Sequence, residues 1–69
     1  MKVGIIGSGG REHSMCLSLS NSKDITKIFC FPGNAGTDTL AENIKIDLND
    51  FEKLKNYIKE NQIEIIIVG

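Results

Sequence analysis

Residues 3–13 read VGIIGSGGREH. Four apolar-run residues, 3–6, end in Gly7-Ser8-Gly9-Gly10, and a helical pattern starts at Arg11. An apolar run that stops at glycines and turns into a helix is the opening of a βα unit. Working outward, the segment at 27–31 (KIFCF) is expected as a second strand, halted by Pro32-Gly33. Residues 43–47 (NIKID) alternate as a strand buried on one face, and residues 63–68 (IEIIIV) are β-branched and almost wholly apolar. Such runs suit parallel strands covered on both faces. Residues 11–20 carry Met15, Cys16 and Leu19 at helical spacing, with Leu17 outside the stripe. Residues 50–61 carry Phe51, Leu54, Tyr57 and Ile58 on one stripe, with lysines and Glu60 opposite. Asn49 is the expected N-cap, with Glu52 at capping-box spacing. Residues 33–41 are expected as a turn with one short helical turn.

The order β-α-β-loop-β-α-β requires crossovers, so the sheet should be parallel, with the first strand central. The expected fold is α/β: a Rossmann-like parallel sheet of about four strands with helices on its faces. No repeat, low-complexity tract or linker divides the chain.

Sixty-nine residues make at most one small domain, and a chain of that size buries only about 60% of its unfolded surface. A hydrophobic content of 41% and a single proline fit a globular domain. The net charge of −1 gives no electrostatic reason to expect nucleic acid or an anionic membrane as a partner. The apolar run at 65–68 is far too short to cross a bilayer, and the amino terminus enters a strand directly, with no signal-peptide pattern. Cys16 and Cys30 lie outside any CxxC arrangement and are read as reduced, buried small side chains. His13 is the only histidine, so no zinc constellation exists. The expected location is a reducing compartment, the cytoplasm or an organelle matrix.

The glycine turn carries the functional signal. Unpaired N–H groups and the dipole at a helix start favour an anion, and glycines let the backbone approach it. Gly7, Gly9 and Gly10 are therefore expected to contact a phosphate or sugar phosphate. The dinucleotide fingerprint G-x-G-x-x-G, counted from Gly7, needs a third glycine where Glu12 stands. It also needs an acid at the end of the second strand, which here reads Cys30-Phe31-Pro32-Gly33. Both requirements fail, which disfavours a nicotinamide or flavin dinucleotide. Arg11 can form a bidentate contact with phosphate, Glu12 suits the positive end of the helix, and His13 is open to ligand contact or to a surface role. The second loop, Pro32-Gly33-Asn34-Ala35-Gly36-Thr37, follows the neighbouring strand, so both loops should lie on one sheet edge and line one cleft.

GSGGREH, then PGNAGT, then Ala41-Glu42-Asn43, then a strand closing in Val68-Gly69, together resemble the phosphoribosylamine–glycine ligase family, also called glycinamide ribonucleotide synthetase, of purine biosynthesis. The resemblance runs from Met1 to Gly69. It implies an enzyme that joins 5-phosphoribosylamine to glycine through a glycyl phosphate, with ATP cleaved to ADP and phosphate. It implies three parts: a Rossmann-like N-terminal domain of the pre-ATP-grasp type, an ATP-grasp region holding ATP with Mg or Mn, and a C-terminal domain. By that pattern residues 1–69 are an incomplete N-terminal domain, and the other two domains, its partners in cis, are absent. The residues carried over as the phosphoribosylamine side are Gly7, Ser8, Gly9, Gly10, Arg11, Glu12 and His13, with Pro32, Gly33, Asn34, Ala35, Gly36 and Thr37. No catalytic, ATP, glycine or metal residue can be carried over, so the fragment alone is expected to bind no cofactor and to be inactive. Gly4 stands where the family has a bulky aliphatic, and is expected to cost entropy and packing. The alternatives are a dinucleotide-binding half-domain of an oxidoreductase and a non-catalytic interaction module with an empty glycine turn.

Overall fold

The structure, a computed structural model, describes residues 1–7 and 9–68. Strand β1 (Lys2–Gly7) leads into helix α1 (Gly10–Ser20), then strand β2 (Lys27–Pro32) and a single 3-10 turn (Thr37–Thr39). Strand β3 (Glu42–Asn43), helix α2 (Phe51–Glu60) and strand β4 (Ile65–Val68) follow. The strands form one parallel sheet in the order β3-β2-β1-β4. The expected α/β sheet with an interior first strand is present.

Alternation along β2 divides the core. Ile28 and Cys30 point to one face, where they meet Ile5 and Cys16, with Met15 and Leu19 of α1 packed against them. Phe29 and Phe31 point to the other, against Leu54 and Ile63, with Tyr57 and Ile58 of α2 beside them. Each face of the sheet is thus covered by one helix. Burying each phenylalanine contributes roughly 1.5–3 kcal/mol. Tyr57 adds edge-on contacts to both rings, at 5.8 Å and 5.6 Å between centroids.

Gly4, within β1, proves to be a packing device. A Cβ on Gly4 would stand 2.7 Å from Ile66 Cδ1 and 3.0 Å from Phe31 Cε2. The volume that an aliphatic would fill is taken by side chains from β2 and β4, so the expected packing cost is offset by its neighbours.

In the second half of the chain the boundaries of β3, α2 and β4 differ from expectation for local reasons. β3 is two residues long, because after Asn43 the chain leaves the sheet edge and Ile44, Ile46 and Leu48 turn onto the α2-side core. Asp50, not Asn49, caps α2: its carboxylate accepts from Lys53 N–H at 3.2 Å. Asn49 N–H instead donates to Asp47 Oδ1 at 2.9 Å, an Asx turn that moves the helix start on by one residue. Glu52 then sits one position too early for a capping box. Phe51, expected on the apolar stripe, is 74% exposed in consequence.

β4 begins at Ile65, two residues later than expected, because Gln62 and Ile63 close α2. Gln62 takes φ 57° and Ile63 N–H donates to Ile58 carbonyl at 3.0 Å. This is a Schellman ending with glutamine where glycine is usual. β4 is an edge strand. Ile65 and Ile66 are exposed and Val68 is 74% so, which corrects the expectation of cover on both faces.

Candidate functional site

β1 and β2 end side by side, with Gly7 paired to Pro32 across the parallel ladder. Their following loops therefore leave the sheet together, at its carboxyl edge, where open α/β sheets take ligands.

The first loop is built around Glu12. Its side chain is 5% exposed and folds back beneath the turn. A Cβ on Gly7 would stand 2.8 Å from Glu12 Cγ, and one on Gly9 would stand 3.1 Å from Oε2. Gly7 has φ +147°, a conformation that side chains disfavour. In the dinucleotide fingerprint the small residue is on the helix and lets it approach the strand. Here the arrangement is inverted: the strand ends in the small residue and the helix carries the large one. α1 starts after Gly9 with no side-chain cap; Glu12 N–H donates to Gly9 carbonyl at 3.2 Å, and Gly10 and Arg11 precede it at this end. Arg11 is exposed. Ser8 lies outside the described residues.

The second loop is braced internally. Asn34 N–H donates to Thr37 Oγ1 at 2.8 Å, and Thr37 N–H donates to Asn34 Oδ1 at 3.0 Å. Thr37 Oγ1–H donates to Asn43 Oδ1 at 2.7 Å, and Asn43 Nδ2–H donates to Asn34 carbonyl at 2.8 Å. Thr37 is fully buried. Gly33, at φ +77°, faces this knot, with Thr37 Oγ1 2.7 Å from where its Cβ would lie. Thr37 and much of Asn34 are thus committed to holding the loop. Ala35 is exposed at its tip.

Among the described residues, three contacts join the loops. Asn34 Nδ2–H donates to Gly9 carbonyl at 2.9 Å, and Gly33 N–H donates to Gly7 carbonyl at 3.0 Å. His13, exposed to solvent, sets its ring over Gly36: a Cβ there would stand 3.1 Å from Cγ. The two motifs, 25 residues apart, form one structural unit. Asn43 is part of it too, although the strand pattern alone did not single it out. Its signal was an asparagine opening the expected strand 43–47, an element in which that residue is depleted. A concavity of about 490 Å3 runs along β2 and β3, lined by Thr26 and Lys27 at one end and by Asp38, Glu42 and Asn43 at the other. Among the described residues, no three His, Cys, Asp or Glu side chains gather as a metal site, and no helix is long and apolar enough to cross a membrane.

Residues 1–69 match the family described as phosphoribosylglycinamide synthetase, N domain. The chain belongs to that family. It is 49% identical over 69 residues to phosphoribosylamine–glycine ligase of Caldanaerobacter subterraneus subsp. tengcongensis, covering all of this chain and 16% of that protein. It is 41% identical over 73 residues to the trifunctional purine biosynthetic protein adenosine-3 of Chironomus tentans, covering 99% of this chain and 5% of that one. The crystal structure of phosphoribosylamine–glycine ligase from Thermotoga maritima superposes with a TM-score of 0.77 at 32% identity, over the whole of this chain and 16% of that chain. The chain therefore spans about a sixth of the single-function family members it matches. The comparisons give the oxidoreductase alternative no support.

Proposed function

We propose that the chain supplies the sugar-phosphate side of an ATP-dependent ligase that joins 5-phosphoribosylamine to glycine in purine biosynthesis. The observation that carries this reading is the bond from Asn34 to Gly9, which makes one surface of the two family motifs at the carboxyl ends of β1 and β2. In this reading the N–H groups at the start of α1 and the Arg11 guanidinium receive the phosphate. His13 and the Gly33–Gly36 backbone face the sugar. Glu12 and Thr37 hold the walls in place. ATP, its metal and glycine are assigned to segments of the enzyme outside residues 1–69, and none of the residues here is given a role toward them. The 69-residue chain alone therefore produces no ADP from ATP, glycine and phosphoribosylamine.

Amide NMR of the chain, titrated separately with ribose 5-phosphate and NADH, tests the assignment. Shifts at Gly9–His13 and Asn34–Gly36 with ribose 5-phosphate alone support it. The same amides responding to NADH alone would transfer the site to a dinucleotide. A folded spectrum indifferent to both would leave a binding role without support.

A further inference from the structure

We infer that Cys16 and Cys30 are a redox-active dithiol, held by the fold in position for a reversible disulfide that staples α1 to β2. The two sulfurs lie 3.3 Å apart, one thiol donating to the other, and both residues are fully buried and free. They come from different elements, 14 positions apart, so the tertiary fold and not chain proximity sets the contact. A disulfide needs sulfurs at about 2.03–2.05 Å, which leaves little more than an ångström of approach. Cys16 lies one turn beyond Glu12, and Cys30 lies two residues before Pro32. The bond would therefore link the two elements that carry the two loops.

The chemistry is thiol–disulfide exchange with a small disulfide such as oxidised glutathione. One thiolate attacks the oxidant and releases one glutathione thiol. The other cysteine, after losing its proton, displaces the second glutathione from the mixed disulfide. One S–S bond is consumed and one formed, and the two protein thiol protons end on two glutathione thiols. Burial, with Cys30 alongside, pushes the Cys16 thiol up to about 12, so thiolate is scarce in the closed fold and the first attack waits on local opening. Exchange is slow, but its equilibrium favours the staple. A fold that brings the sulfurs together favours the disulfide by the same factor as the disulfide favours the fold.

The test is equilibration of the 69-residue chain with reduced and oxidised glutathione, approached from both the dithiol and disulfide forms. Parallel samples are held in native buffer and in concentrated guanidinium, then acid-quenched and weighed by mass spectrometry. The expected product in native buffer is a monomer lighter by two hydrogens, with an effective thiol concentration at least ~10-fold above that in guanidinium. An equal or lower value in native buffer overturns the inference, as does a native product that is mainly a glutathione adduct or a linked dimer. The Cys30→Ala chain must give only the glutathione adduct; an internal disulfide signal from it would show the readout to be at fault and remove the support.

Discussion

Glu12 occupies the space in front of Gly7: a methyl group on Gly7 would stand 2.8 Å from Glu12 Cγ, at a backbone φ of +147°. The helix residue and the strand residue are a matched pair, one large because the other is absent. Gly7→Ala is therefore expected to destabilise the chain by about 2 kcal/mol, from backbone strain and overpacking together. In the Gly7→Ala/Glu12→Ala double variant the overpacking is relieved, giving a coupling of about 1 kcal/mol in a double-mutant cycle of urea midpoints. Strict additivity would mean the two residues do not interact.

Thr37→Val keeps the shape of the side chain and removes its hydroxyl. Asn34 N–H then loses its acceptor and Asn43 Oδ1 its donor, in a knot where Thr37 is fully buried. The expected cost is about 1–3 kcal/mol in equilibrium unfolding. A change under half of that would show that water replaces the hydroxyl without loss.

Gln62 ends α2 at φ 57°, a conformation that glycine takes without penalty. Gln62→Gly is expected to raise stability by about 0.5–1 kcal/mol, read as a higher urea midpoint at unchanged slope. A lower midpoint would indicate that the glutamine side chain stabilises the helix end by more than its backbone costs.

Arg11 is exposed and first-turn, so Arg11→Ala should leave the unfolding midpoint within about 0.5 kcal/mol of the parent. Affinity for ribose 5-phosphate, measured by calorimetry, should fall at least ~10-fold with the loss of a charge-assisted contact. Unchanged affinity would take the phosphate away from this arginine.

The thiol pair sets an alkaline limit. Burial and the Cys30 contact raise Cys16 from 9.0 in the unfolded chain to about 12 in the fold. The folded state thus holds this proton more tightly. Its stabilising effect is complete below pH 9 and is lost as pH rises from 9 toward 12. Stability should fall across that window, and Cys16→Ala should flatten the fall. A parent curve flat between pH 9 and 11 would contradict the shift.

Much of this was legible in the residues. The glycine turn after an apolar run, the two helical stripes and the order of elements were enough for a parallel α/β sheet with β1 interior. The two loop motifs were visible as punctuation, and the missing third glycine already spoke against a dinucleotide. Their tie was not legible, because a bond from Asn34 to Gly9 depends on the strand register. Glu12 read as a dipole partner at the helix start; its burial under the turn follows from Gly7, five residues earlier, having no side chain. Gly4 read as a defect because the residues that fill its volume, Ile66 and Phe31, arrive from other strands. The cap of α2 shifted by one residue because Asp47 claims Asn49 first.

The bond from Asn34 to Gly9, with that from Gly33 to Gly7, also changes how a ligand would be received. Two separate glycine-containing loops would each lose conformational freedom as a molecule bridged them, and affinity would be reduced accordingly. Here much of that ordering has been completed by folding. Under the proposed function, a small anion would meet loops already tied to each other, and the glycines that make close approach feasible would not each have to be ordered by it.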